Sequence, residues 1–336
     1  MIPHNLLGNW TAAHVARVHS SIFVAPHRLS ELGIFCDEGL AQTLDAHPRA
    51  ELGAYTMGTD PVRRSQWREG DTGQLSGKTL LESVKRGRLT LHLRNVSAHH
   101  SDYRVLVDTL YDQLHLLCIA EEFVDRRADL RISSPTAMVY YHVDRDVVMQ
   151  WQIRGTRQVW VYPLEAGVLS ARTLESVVCG RKTGAIEYYP ELDRYATEFD
   201  LQPDQMITWP QHTPNRSVNA GNLNVTLITH HMTREAIRKN NVCLVNRSLR
   251  RALGRRFPSA RVDGLGAVMK DLTVRAVGGL RGRGPKPSPR DALAVSFQVD
   301  PNAPDAVRQF TPPAAAPTSI AAPTGDVSGR NVPLGN

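Results

Sequence analysis

The chain is short of three things: clustered cysteine, long apolar runs, and acidic residues over one long stretch. Its four cysteines (Cys36, Cys118, Cys179 and Cys243) stand far apart and form no C-x-x-C pair. That spacing argues against a disulfide framework or a zinc knuckle, and predicts ordinary reduced thiols in a cytoplasmic setting. No run of 18 apolar residues exists, so no segment is predicted to span a membrane. The start, MIPHNLLGNWTAAHVARVHSSIFVA, lacks a continuous apolar stretch behind a basic head, so no secretory signal is expected. Between Arg234 and Arg290 only Glu235, Asp263 and Asp271 oppose 15 Lys and Arg, a local excess of +12 within an overall charge of +7. The basic character therefore belongs to one segment.

With 336 residues, 41% hydrophobic and 22% charged, the chain can bury a sizeable core as one large domain or two modest ones. Cys36–His47 has helical apolar spacing, with Asp37 as a cap, and Leu52–Tyr55 reads as a strand. Gly77–Lys85 is predicted as a helix that Gly87 ends. Leu89–Leu93 alternates Leu-Thr-Leu-His-Leu and is a strand. Asp102–Cys118 sets Leu106, Leu110, Leu114 and Leu117 on one helical stripe. Leu169–Cys179 reads as a short helix. The polar insertion after it, with Tyr188, Tyr189 and Tyr195, is read either as loop packing or as a lid over a substrate mouth. Met206–Trp209 and Asn224–Thr229 are strands, and Thr233–Leu253, capped by Thr233, is the longest helix. Residues 301–336 carry seven prolines and almost no large apolar side chains, which predicts a disordered tail.

The richest stretch is SSPTAMVYYHVDRDVVMQWQIRGTRQVWVYP, Ser133–Pro163. Strands are expected at Met138–Val143, Val147–Ile153 and Gln158–Tyr162, the last two joined by a tight turn over Arg154–Arg157. Alternate strand residues face opposite sides, so Tyr140, His142 and Asp144 share a face. An imidazole and a carboxylate two residues apart can close on one divalent ion, the geometry of the 2-His-1-carboxylate iron(II) site. Chance alone supplies about one His-x-Asp/Glu in a chain of this composition. A second copy, His100-Ser101-Asp102, reads as a helix start.

The run YYHVD, Gly155, Arg157 and the closing VWVYP resemble the core of the cupin-like JmjC family of double-stranded β-helix oxygenases. LQPDQMITWPQHTPNRSVN (Leu201–Asn219) and the strand and long helix of Asn224–Gly254 are similar to the segments that follow in that family. The resemblance covers roughly Lys78 to Gly254. It implies a mixed α and β chain, mostly β, with a double-stranded β-helix (cupin or jelly-roll) core over 78–232. Residues 1–77 would flank that core, a C-terminal helix over 233–256 would follow it, and then a basic Gly/Arg/Pro linker over 257–300.

It further implies iron(II) on His142 and Asp144, and 2-oxoglutarate with its far carboxylate on Arg157. Tyr140 and Thr226 are candidates for a second hydrogen bond to that carboxylate, although a threonine on a strand has an ordinary structural reading as well. The family's second histidine ligand falls at Asn215, which follows Pro214. The third ligand is therefore Asn215, or His212 three residues earlier, or the site is degenerate. The functional expectation is an iron(II)/2-oxoglutarate-dependent oxygenase hydroxylating a protein or nucleic-acid-associated target. The alternative is a non-catalytic cupin-like binding or regulatory module, with residues 234–290 contacting nucleic acid. The long helix after the barrel would suit a homodimer contact.

Overall fold

The computed structural model describes residues 5–117, 122–180, 186–253, 264–281 and 293–310. In chain order the strands are β1 (Phe23–Pro26), β2 (Leu52–Thr56), β3 (Arg68–Asp71), β4 (Leu89–Leu93), β5 (Val124–Ser133) and β6 (Met138–His142). They continue as β7 (Val147–Val161), β8 (Thr197–Leu201), β9 (Gln205–Thr208), β10 (Asn215–Met232), β11 (Val295–Val299) and β12 (Val307–Gln309). The helices are α1 (Ala12–Val15), α2 (Asp37–Ala46), α3 (Gly77–Arg86), α4 (Val96–His99), α5 (Ser101–Leu117), α6 (Ala171–Val178), α7 (Arg234–Leu253) and α8 (Leu265–Arg281).

Two strands organise everything. The N-terminal half of β7 pairs with β9 (Met149↔Thr208) and its C-terminal half pairs with β8 (Val161↔Thr197). β10 lies along the other side of β7 for its whole length. The first part of β10 also pairs with β6 (Asn215↔His142), and the last part with β5 (Thr226↔Arg131). Two sheets thus share β7 and β10. One runs β8–β7–β10–β6. The other runs β1–β9–β7–β10–β5–β4–β2–β3–β11–β12. Two facing sheets made from the halves of shared long strands are a double-stranded β-helix, the jelly-roll solution to sheet edges. The fold expected from the sequence is the fold observed.

The expected turn at Arg154–Arg157 is not a hairpin. β7 is one 15-residue strand that bends at Gly155, where φ is 73°. The pairing of β10 with β7 shifts register between Ala220 and Val225, opposite that bend. Only glycine fits here: a Cβ would meet the Leu223 carbonyl oxygen at 2.6 Å, in a region of φ disfavoured for side-chain-bearing residues.

The core follows the apolar phases read from the sequence. Leu89, Leu91 and Leu93 are fully buried on one face of β4, and Leu106, Leu110 and Leu114 on one stripe of α5. Leu117, the last residue of α5, is 39% exposed. α3 packs its Leu80, Leu81 and Val84 inward and touches α2 so closely that a Cβ on Gly77 would lie 2.0 Å from the Ala41 carbonyl oxygen. α2 is capped by Cys36, whose Sγ accepts from Gly39 N; Asp37 instead pairs with Lys85 and Arg154. Thr233 caps α7, its hydroxyl accepting from Ala236 N at 3.1 Å.

Residues 1–77, expected to flank the core, contribute β1, β2 and β3 to the sheet that includes β7 and β10. Two boundaries differ from the expectation. The segment read as a linker over 257–300 contains α8. β11, at its end, pairs in parallel with β3, and β12, inside the segment read as tail, pairs antiparallel with β11. Val295, Phe297 and Val299 alternate and bury Phe297 completely, which is what the composition of the surrounding residues hides. The remainder of the basic segment (254–263 and 282–292) and of the tail (311–336) lies outside the described residues. No helix among the described residues is long and apolar enough to cross a membrane.

Candidate functional site

The mouth of the barrel holds a cavity of about 240 Å³ lined by His142, Asp144, Arg131, Gln150, His92 and His230. His142 ends β6, and its Nδ1 lies 2.8 Å from the Tyr140 carbonyl oxygen. A carbonyl can only accept, so Nδ1 carries the hydrogen and Nε2 presents a lone pair. Burial lowers the pKa of this imidazole against the pull of Asp144, keeping the ring neutral. Nε2 faces Asp144 Oδ2 at 3.7 Å. Asn215 opens β10 directly across from His142 and donates its Nδ2 to the same Asp144 oxygen at 3.3 Å.

His142, Asp144 and Asn215 therefore meet at one point. His212 does not join them: its Nε2 turns to Asn240 Oδ1 at 2.8 Å, on the α7 side of the loop. The loop gives His212 a φ of 70°, and its side chain lines a different cavity. Among the described residues no group of three or more His, Cys, Asp and Glu converges to hold a metal ion. The donor set at the mouth is one neutral imidazole, one carboxylate and one amide. A lone pair facing a carboxylate oxygen across 3.7 Å is an arrangement that a cation between them relieves. Those two donors fit a divalent ion. The amide is the weak member, because an amide oxygen suits iron less well than imidazole.

Deeper in the barrel lies Arg157, only 2% exposed. Its Nη1 donates to Gln150 Oε1 at 2.9 Å and reaches Thr226 Oγ1 at 3.5 Å, while its Nε is buried with no partner. No carboxylate among the described residues pairs with it. Burial, reinforced by the positive charge of Arg131, pushes its pKa down to about 9. Thr226 lies beside it and donates to Gln152 Oε1 at 2.8 Å. The Tyr140 hydroxyl is engaged at the rim, where it accepts from Gly58 N at 3.3 Å. A buried, uncompensated guanidinium is costly by itself and calls for an anion.

Three residues that the motif reading passed over line the same cavity. Asp129 Oδ2 receives His92 Nε2 at 3.0 Å and lies 3.5 Å from His230 Nε2; its Oδ1 accepts from Asn95 N at 2.8 Å. Burial resists the charge on Asp129, yet the adjacent His230 imidazole and the hydrogen bond from His92 hold its carboxyl far below the usual range. The signal for these residues was strand phase: His92 interrupts the leucines of β4 on the opposite face, and Asp129 and Arg131 alternate with Leu130 and Ile132 on β5. His230, near the end of β10, faces the cavity.

A larger cleft of about 610 Å³ adjoins the first, sharing Arg64 and Tyr140 with it. Its walls include Tyr141, Tyr188 and Tyr189, the last two from the insertion after α6. Tyr188 is packed down, its hydroxyl on Asp193 Oδ2 at 2.8 Å, whereas Tyr189 is 55% exposed. The same Asp193 binds Arg216 Nη2 at 2.6 Å, and the Arg216 guanidinium lies 3.6 Å from the centre of the Trp160 ring.

No family model matches this chain, and no curated protein does. Solved structures similar to it include Escherichia coli ribosomal oxygenase YcfD, at 13% identity over 85% of this chain and 68% of that one, with a TM-score of 0.47. YcfD in complex with cobalt and 2-oxoglutarate is similar at 15% identity over 82% and 68%, with a TM-score of 0.44. The Schizosaccharomyces pombe Cnp3 cupin domain is similar over 34% of this chain and 62% of its own, at 14% identity and a TM-score of 0.22.

Proposed function

We propose that this protein is an iron(II)- and 2-oxoglutarate-dependent oxygenase. His142, Asp144 and Asn215 would hold the metal, and Arg157 would anchor the far carboxylate of the co-substrate. The observation that carries this reading is Arg157, a cation sealed inside the barrel with an unpartnered Nε and, among the described residues, no acidic neighbour to pair with it. A small dicarboxylate supplies the missing charge, and a guanidinium binds a carboxylate with two parallel hydrogen bonds. Thr226, beside it, can turn its hydroxyl to the same carboxylate.

Iron(II) with 2-oxoglutarate would supply the oxygen activation by which such centres hydroxylate carbon–hydrogen bonds. The chain's own part is positioning. The Tyr140 carbonyl fixes the ring of His142 and its tautomer, as partners of metal-bound histidines do. Asn215 steadies Asp144. The aromatic cleft past Tyr140 and Arg64 is where a protein or nucleic-acid-associated substrate would lie, with its reacting group reaching into the smaller cavity.

The second reading, a dicarboxylate-binding module without turnover, is favoured by one observation: an amide donates to Asp144 at the position where an imidazole would ligate iron. An anaerobic titration with iron(II) and 2-oxoglutarate separates the two. A metal-to-ligand charge-transfer band, followed by succinate formation in air, supports the oxygenase. Saturable 2-oxoglutarate binding with no band supports the module. No binding of 2-oxoglutarate at all rules out both.

A further inference from the structure

Three cavities meet at the mouth of the barrel: the small one that holds His142 and Asp144, the tyrosine-walled cleft, and an open groove of about 1290 Å³ along β2 and β3. Of their lining residues only Arg64 belongs to all three. Arg64 opens a 3₁₀ turn between β2 and β3, and two contacts pin its segment to the barrel. Gly58 N donates to the Tyr140 hydroxyl at 3.3 Å, and Arg64 Nη1 donates to the Tyr141 carbonyl at 3.2 Å. The Nε–Nη2 edge of the guanidinium has no partner among the described residues. That edge is one with which arginine grips a carboxylate through two parallel hydrogen bonds. Arg64 is half-buried, so the edge is reachable, unlike the sealed Nε of Arg157.

The other cations of these walls are matched. Arg94 lies 3.9 Å from Glu69 and donates to the Tyr55 hydroxyl, Arg131 has Asp144 and Asp129 as charged neighbours, and Arg49 donates to Thr72 Oγ1 and the Leu75 carbonyl. No Asp or Glu among the described residues forms an ion pair with Arg64. Burial lowers its pKa, and the neighbour that offsets this is the Tyr140 hydroxyl. Asp60, on the same connection, is held by Arg63 at 3.2 Å, and Glu187, on the cleft wall, accepts from the Tyr189 hydroxyl at 2.9 Å. A desolvated charge without a counter-charge is costly until one arrives. The cleft supplies a second preference. Tyr140, Tyr141, Tyr188 and Tyr189 line it, and each hydroxyl already has a partner: Gly58 N, the Val168 carbonyl, Asp193 and Glu187. What they offer a guest is ring surface, which favours another flat ring.

We infer that the mouth takes an aromatic carboxylate, with the carboxylate on the Nε–Nη2 edge of Arg64 and the ring among the tyrosines of the adjoining cleft. An amine in the same place would meet a cation, and a neutral amide would leave that cation unmatched. The ligand is either a free aryl acid or an acidic residue next to an aromatic one in a polypeptide; both present the same pair of groups. As a substrate site this cleft depends on the oxygenase reading above; as a carboxylate site it does not.

Isothermal titration of the full chain with 3-phenylpropionate tests this, with 3-phenylpropionamide as its neutral twin. A second arm uses the peptide acetyl-Gly-Phe-Glu-Gly-amide against its Gln counterpart. At least one acid should bind saturably at one site per chain, and about tenfold or more tighter than its amide, as a charge-assisted hydrogen bond provides. The arm that binds identifies the source as a small molecule or a chain. Arg64→Gln should erase the difference between acid and amide. Arg157→Met should leave it intact while abolishing 2-oxoglutarate binding, so failure of the co-substrate reading is told apart from failure of this one. Should Arg64→Gln fail to fold, Tyr189→Ala, which removes a side chain 55% exposed on the cleft wall, should weaken the acid at least threefold. Absence of saturable binding by both acids overturns the inference. So does equal binding of acid and amide, a difference that survives Arg64→Gln or is lost in Arg157→Met, or an affinity that Tyr189→Ala leaves unchanged.

Discussion

Replacing Arg157 with methionine should make the ligand-free protein more stable and blind to 2-oxoglutarate. The fall of its pKa from 12.5 to about 9 on burial corresponds to about 5 kcal/mol of disfavoured positive charge. Methionine removes that burden with a flexible side chain of similar length. Against the gain stand the hydrogen bonds to Gln150 and Thr226, each worth roughly 1 kcal/mol, and the cost of leaving Gln150 Oε1 unmatched, about another 1 kcal/mol. The balance is a stabilisation of about 2 kcal/mol, which in a chain of this length is a rise in melting temperature of roughly 3 °C. In the natural chain, 2-oxoglutarate at a hundred times its dissociation constant should add about 2.7 kcal/mol through binding the folded state alone. In Arg157→Met that increment should vanish. Differential scanning calorimetry with and without 2-oxoglutarate reads both effects. A variant that melts lower than the natural chain without ligand, or that keeps the full ligand-induced rise, refutes the assignment of Arg157 as an unsatisfied anion anchor.

Four further outcomes are expected. Asn215→His should tighten iron(II) binding by at least the 10–100-fold that even outer-shell partners command; anaerobic competition against a chelating dye measures it, and equal affinity argues that Asn215 does not face the ion. Gly155→Ala should destabilise the fold by roughly 2 kcal/mol or more, since it combines a left-handed φ with a 2.6 Å approach to the Leu223 carbonyl; a urea melt that superimposes on the natural chain would contradict the bend. Burial opposes ionisation of Asp193, yet hydrogen bonds from Tyr162, Arg216 and Tyr188 hold its carboxyl below the usual range. Its contribution to stability is thus complete above the ordinary carboxylate pKa near 4 and is lost as the pH falls through the lower folded value; Asp193→Asn should flatten the acid limb of the stability profile. His212→Ala should leave iron(II) affinity within a factor of two, because its imidazole is turned to Asn240; a loss comparable to that of His142→Ala would return it to the metal site.

Much of this architecture was legible in strand and helix phase. The alternation of Leu89–Leu93, the stripe of α5 and the pairing of His142 with Asp144 on one face all follow from side-chain periods of two and of three to four. The bend in β7 was read as a hairpin because Gly155 among arginines and a threonine has the composition of a turn. Only the pairing of the whole of β7 with β10 shows that the chain bends there without reversing. α8 and β11–β12 were hidden by their surroundings, since long basic and proline-rich stretches on either side outweigh a five-residue alternation such as Val295–Val299. His212 could reach the ion only if its loop turned that way; the loop does turn, at His212 itself, but toward Asn240. Asp129 with its two imidazoles escaped because its members come from β4, β5 and β10, and no short motif spans three strands distant in sequence.

Sharing β7 and β10 between the two sheets has a consequence for how this chain tolerates change in length. Asn215 and His142 on one sheet, and Thr226 and His230 on the other, are tied to the same continuous ribbon, with its alternation of inward and outward side chains. One residue added or deleted inside that ribbon would turn every following side chain to the opposite wall, evicting one half of the pocket to keep the other. Variation in length is thereby confined to the connections at the ends of the roll, such as the tyrosine-bearing insertion, where an extra residue reshapes the entrance and leaves the interior alone.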